Sequence, residues 1–157
     1  MTNKFETSIT RYLESQRVSF RLLPHHSPAT TIEDAAKQRG IRPEQMVKCI
    51  LLRDMDSEYV LACVPGDRLV DPRKVRKILN CRRMTCVERD DVQSLTGSQI
   101  GTLTPLLLPR YMPIFFDHSI LLQPEVTISS GSLLAGIALK TDDLINLCAP
   151  ILADICR

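Results

Sequence analysis

No stretch of this 157-residue chain approaches the roughly 18 consecutive apolar residues that a membrane-spanning helix needs, so a helical membrane protein is excluded. The opening residues MTNKFETSIT lack the apolar core of a secretory signal, and the expected setting is therefore the cytoplasm, with no membrane partner. Charge of one sign is not in excess either. A formal net charge of +2 with 24% charged residues rules out a strongly basic nucleic-acid binder, so any contact with a polyanion must be local. The glycines form neither the Gly-x4-Gly-Lys-Ser/Thr loop that cradles phosphates nor the GxGxxG turn of dinucleotide folds. There is no internal repeat, linker or low-complexity segment. Six cysteines are present, but the one close pair, Cys81-x4-Cys86, stands at the wide end of zinc-ligand spacing with no second pair near it, so no metal or other cofactor is expected. Structural disulfides are not expected in a cytosolic chain.

What is present fits a folded globular chain. At 157 residues and 44% hydrophobic composition, residues 1–157 read as a single domain able to bury roughly two-thirds of its unfolded surface. Phe5, Ile9, Tyr12 and Leu13 recur at helical spacing and predict a first helix ending near Gln16, after which Val18, Phe20 and Leu22 alternate as a strand. Thr30 with Glu33 and Thr31 with Asp34 form overlapping capping boxes for a short helix that Gly40 stops. Met46 to Leu52 and Tyr59 to Val64 read as a hairpin connected by Asp54 to Ser57 and ended by Pro65-Gly66-Asp67. Asp71-Pro72 is a cap followed by proline at the first helical position, with Val75, Ile78 and Leu79 as the buried face. Further strands are expected at Met84 to Val87, Ile114 to Asp117, Val126 to Ser129 and Gly136 to Lys140, and a short helix at Asp90 to Leu95 closed by Gly97. A last helix opens at Thr141-Asp142-Asp143, is kinked or divided by Pro150, and carries Cys148 and Cys156 in its pattern to the chain end. Hairpins interrupt the strand-helix rhythm, so the fold class is α+β.

Lys48 is the one charged residue in the apolar run Met46 to Leu52. Alternation puts it on the face of Ile50 and Leu52, where its ammonium either reaches water along its own stem or lies in a cleft, poised to hold an anionic or carbonyl-bearing substrate. The stretch Thr96 to Pro105 has neither helical nor strand pattern. With Gly97, Gly101 and Pro105 at intervals of four, it is either a plain turn or a loop whose main chain meets a ligand. Arg73, Lys74, Arg76, Lys77, Arg82 and Arg83 concentrate cations on the third helix and its exit, as a solvated face or as a track for nucleic-acid phosphates. Asp117-His118-Ser119 suggests a triad, yet adjacent strand residues point to opposite faces, so a structural or pocket-lining Asp117 is at least as good a reading as a catalytic one. His25 and His26 precede a loop proline and are either solvated or at a cleft mouth. Ser129 and Ser130 beside Gly131 either make a turn or hydrogen-bond a ligand.

Taken in order, Ala35-Ala36, Val47-Lys48, Val64-Pro65-Gly66-Asp67, Thr96-Gly97, Gly101-x3-Pro105, Pro113-x3-Asp117 and Ser129-Ser130-Gly131 resemble the YbaK family of aminoacyl-tRNA deacylases, which includes the editing insertion of bacterial prolyl-tRNA synthetases. The resemblance runs from about Thr30 to Leu147. It implies a curled mixed β-sheet flanked by helices that hydrolyses the ester of a mischarged aminoacyl-tRNA, with no cofactor. Lys48 matches the family's essential lysine, and Gly101 and Pro105 match the loop that lines the aminoacyl pocket. Within that reading Thr102, Asp117, Ser129 and Gly131 are expected to bind substrate, and the cations Arg73, Lys74, Arg76 and Lys77, from their concentration on the third helix, to bind tRNA. The implied partners are aminoacyl-tRNA and an aminoacyl-tRNA synthetase. Two positions depart from the pattern: Cys49 stands where threonine is common, and Ser130-Gly131-Ser132-Leu133-Leu134 replaces Gly-Gly-Lys-Arg-Gly.

The reading is a deacylase acting in trans. An aminoacyl ester is already activated, so the site needs a placed water and oxyanion stabilisation more than a strong base. The alternative is a non-catalytic aminoacyl-tRNA or nucleotide-binding module, as part of a longer regulatory protein. A thiol enzyme using Cys49 or Cys63 is disfavoured because an apolar setting raises a thiol's pKa.

Overall fold

The period of two in a β-strand decides how the central hairpin divides the interior. The computed structural model describes residues 4–99 and 101–157; Met1 to Asn3 and Ile100, inside the glycine loop, lie outside the described residues. Strands β2 (Val47–Asp54) and β3 (Tyr59–Pro65) pair antiparallel with Lys48 opposite Val64 and Cys49 opposite Cys63. Val47, Leu51, Leu61 and Cys63 face one core, while Leu52, Val60, Ala62 and Val64 face a second. Lys48 shares parity with the second set, as expected.

Elements before the hairpin are α1 (Ser8–Ser15), β1 (Phe20–Pro24) and α2 (Ile32–Arg39). Thr7 and Thr10 close a capping box on α1. Of the two boxes expected at α2, Thr31 takes the cap, accepting from the Asp34 amide at 3.1 Å, and Gly40 ends the helix in the left-handed region at φ 69°. After the hairpin come α3 (Pro72–Leu79), capped by Asp71, then β4 (Met84–Cys86), α4 (Arg89–Thr96), β5 (Ile114–Asp117), β6 (Glu125–Ser129), β7 (Ala135–Lys140), α5 (Thr141–Cys148) and β8 (Ile151–Ala153).

The strands form two sheets. One has the order β1-β7-β6 and is antiparallel; the other has the order β4-β2-β3-β5-β8, with β5 and β8 parallel to their neighbours. Among the described residues an isolated bridge, Met46 to Thr127, joins the start of β2 to β6, so the curl expected from the resemblance is realised as two linked sheets. The larger core lies between them, where Leu51, Leu61 and Phe116 meet Val126, Ile128, Ile137 and Leu139, closed by Ile9, Leu13 and Leu144 from α1 and α5. The second core packs Leu52, Val60 and Phe115 against Val75 of α3 and Ile155. Each fully buried Leu or Phe contributes roughly 1.5–3 kcal/mol.

The chain end corrects one expectation. Pro150 does not divide a long helix: α5 stops at Cys148, Ala149 is left-handed, and β8 follows. Cys156 is therefore not helical and instead bridges Val70.

Candidate functional site

Between α2, the start of β2, α4, the glycine loop and the β6–β7 turn lies a cavity of about 290 Å³. Small-molecule sites start near this size. Lys48, Gly101 and Ser129 line it, together with Arg39, His25 and Arg89. The described residues of the glycine loop divide between two spaces. Gly101 and Leu103 face this cavity, whereas Thr102, Thr104 and Gly97 face a second one, also about 290 Å³, that Gly131 and Ser8 complete.

Lys48 is half-buried, and its ammonium donates to the Arg68 carbonyl in the turn after β3. An ammonium has three N–H donors, so two remain beyond that bond. Burial lowers its pKa from the ordinary lysine value, while the charges of Asp67 and Glu33 pull the other way. The result is a partly desolvated cation lining the cavity.

Gly101 sits at φ 88°, a backbone conformation that favours glycine; a Cβ there would make only ordinary contacts, 3.5 Å from the Ala29 carbonyl and 3.4 Å from Leu133, so the backbone angle and not the space asks for glycine. Ser129 is buried, and its hydroxyl accepts from the Gly131 amide at 3.1 Å, shaping the β6–β7 turn. Gly131, at φ 93°, opens toward the second cavity. Thr102 is buried there and donates its hydroxyl to the Gln99 carbonyl at 2.8 Å. Pro105 is buried with its carbonyl accepting from the Cys148 thiol at 3.7 Å, outside both cavities.

Asp117 is also outside both. Its Oδ1 accepts from the amides of Ile155 at 2.9 Å and Cys156 at 3.2 Å, and its Oδ2 from the Ser119 amide at 3.0 Å and the Ser119 hydroxyl. Burial alone would raise its carboxyl pKa, but these hydrogen bonds outweigh it and hold the group at about 2. Asp117 thus ties β5 to the chain end, and His118 points to solvent, so no triad forms.

On α3, Arg73 pairs with Asp71 and Lys74 with Asp154, while Arg76 and Lys77 are exposed with no ion pair among the described residues.

Sequence reading did not single out Arg39. The last residue of α2, it is half-buried and donates Nε–H to His25 Nε2 at 3.1 Å and Nη1–H to the Thr127 hydroxyl at 3.0 Å. A Cβ on Gly136 would fall 2.1 Å from Arg39 Nε, so glycine in β7 is what admits the guanidinium. A glycine inside a strand is a sequence signal of such close approach. Of the two readings of His25, the solvated one fails: the residue is buried and lines the cavity. Because Nε2 accepts from Arg39, Nδ1 carries the proton and donates to the Leu133 carbonyl at 2.7 Å. Burial holds the ring below its ordinary pKa against that carbonyl's pull.

Cys49 lines the cavity and meets Cys63 at 3.6 Å between sulfurs, both as free thiols. Burial pushes the Cys63 thiol up, and Cys148 to about 12, a poor setting for a nucleophile.

Comparison with known proteins places the chain in a family and a fold. The family model described as the aminoacyl-tRNA editing domain matches residues 26–147. A proline–tRNA ligase of Aquifex aeolicus is 29% identical over 96 residues, and that of Bacillus licheniformis is 31% identical over 96 residues. In both cases the match covers 60% of this chain and 17% of the ligase. Among solved structures, a hypothetical protein superposes with a TM-score of 0.89 at 20% identity, covering 96% of this chain and 100% of that one. A candidate trans-editing enzyme for prolyl tRNA synthetase gives 0.82 at 21% identity, covering 97% and 99%. These two likenesses show a shared fold.

Proposed function

Because the chain belongs to the aminoacyl-tRNA editing-domain family, we propose that residues 1–157 form one editing domain that hydrolyses, in trans, the ester joining a wrongly attached amino acid to tRNA. The observation that carries this reading is the cavity in which Lys48 and Gly101 meet although 53 positions apart in sequence (101 − 48). The structural likeness to a candidate trans-editing enzyme supports action in trans.

In this reading water attacks the ester carbonyl, a C–O bond forms to the water oxygen, and the bond to the ribose oxygen breaks. The water's proton passes to the leaving ribose oxygen, giving the free amino acid and a tRNA with its hydroxyl restored. Negative charge builds on the carbonyl oxygen, and a partly desolvated cation stabilises it better than a hydrated one. Lys48 is the group for that role or for holding the terminal phosphate, using the N–H donors left beyond Arg68. The main chain at Gly101 and the hydroxyl of Ser129 position the acyl group. Arg76 and Lys77, lacking ion pairs among the described residues, are the α3 cations assigned to tRNA phosphates.

Release of amino acid from a panel of mischarged tRNAs by the native chain tests this. The expected result is hydrolysis of one or a few esters above the uncatalysed rate. Salt-sensitive tRNA binding with no ester hydrolysed would instead assign a binding module.

A further inference from the structure

The cavity holds more positive charge than the proposed reaction needs. Arg39, Lys48 and Arg89 all line it, and among the described residues no aspartate or glutamate does. Lys48 is near Asp67 and Glu33, but Arg39 has no carboxylate in ion-pair contact among the described residues; its two acceptors, His25 Nε2 and the Thr127 hydroxyl, are neutral. Asp34, the acid on the same helix whose charge reaches His25, is bonded to Gln38 at 3.2 Å. A guanidinium has five N–H donors, and these contacts use two.

Half-buried cations are costly without a counter-charge. Burial holds the Arg39 guanidinium down at about 10, where it is still charged at neutral pH. The surroundings are built to keep it there. Gly136 leaves the room, and His25 is pinned as the tautomer that accepts from it by the Leu133 carbonyl. A group held in place by neutral acceptors, with free donors beside a cavity, is arranged to receive an anionic oxygen.

We propose that Arg39 is an anion-binding residue of this cavity, taking a carboxylate or phosphate oxygen through the guanidinium donors not used by His25 and Thr127. This deepens the deacylase reading and rests on it only for the source of the anion: the terminal phosphodiester of the tRNA, or an acidic side chain on the acyl group. Either would pair with a planar guanidinium in two-pronged fashion.

The binding is tested without any ester. Inorganic phosphate and acetate are titrated separately into the full chain while the ring nitrogens of His25 and the amide of Gly136 are followed by NMR. Saturable shifts at both positions with at least one of the two anions are expected, weakened roughly tenfold or more in Arg39→Gln and less in Arg39→Lys, which keeps the charge. Unmoved His25 and Gly136 signals in the native chain, or equal affinity in folded Arg39→Gln, overturns the proposal. Should Arg39→Gln not fold, the native titration and the Arg39→Lys comparison decide it. Ester hydrolysis then separates the sources. A loss in Arg39→Gln confined to aspartyl and glutamyl esters assigns the side-chain carboxylate, and an equal loss on every ester assigns the phosphate. Anion binding at these two residues in a chain that hydrolyses no ester leaves the site standing and removes the deacylase.

Discussion

Asp117 shows how far residue type and residue role can separate. An aspartate at the end of a strand, followed by histidine and serine, has the ingredients of catalysis. Here its two oxygens accept three main-chain amides and one hydroxyl. Its carboxyl is held at about 2, below the ordinary 3.8. A folded pKa below the unfolded one means that the charged form stabilises the fold. That stability is fully present above about pH 4 and is lost as pH falls toward 2, an amount of about 2 kcal/mol. Asp117→Asn is therefore expected to destabilise the chain by about 2 kcal/mol at neutral pH and to flatten the acid limb of its stability curve. Urea unfolding of both chains between pH 2 and pH 7 measures this. An acid limb as steep in the variant as in the native chain would mean that other carboxyls carry it. At the same scale, Arg39 was hidden because a basic residue in the last turn of a helix is already explained by the helix dipole. Only Gly136, 97 positions later (136 − 39), reveals where that side chain goes.

Elements whose signals are local were legible from sequence. Thr31 and Asp71 cap their helices, Gly40 and Gly97 stop theirs, and the Val47 to Pro65 hairpin has the expected pairing, because caps, stops and short hairpins depend on residues within a few positions of each other. Strand β8 was not legible. Its three residues, Ile151–Ala153, pair in parallel with β5, a contact across more than thirty positions, and nothing local distinguishes them from a helical continuation. The same limit applies to the loop after α4. Its glycines could be read as turns, but the division of its described residues between two cavities depends on segments from both sheets. Helix α3 carries a prediction of its own. Arg73 and Lys74 are engaged by Asp71 and Asp154, so the proposed tRNA contact falls to Arg76 and Lys77. Replacing both with glutamate is expected to weaken tRNA binding and to reduce the slope of log K against log salt by roughly 0.7–0.9 per lost phosphate contact. Filter binding across a salt series reads the slope, and an unchanged slope would remove α3 from the interface.

At the scale of the whole molecule, the site exists because two sheets meet at one edge. The Met46 to Thr127 bridge brings the start of β2 beside β6, so Lys48 and Ser129 line the same space, and α2 covers it with Ala35 and Arg39. The chain end returns through β8 to Asp117 and Val70, fastening the sheet that carries Lys48. The chain belongs to the editing-domain family; that this cavity performs editing, through Lys48, is the account's central claim. The direct measurement is the single-turnover rate of hydrolysis of the best ester from the mischarged panel, for native chain and Lys48→Ala at equal urea midpoints. The account predicts a fall of roughly 10²–10³-fold with tRNA still bound, the scale of losing one charge-stabilising donor. A rate within about twofold of native, in a folded variant, would contradict it and move the chemistry to other groups of the cavity.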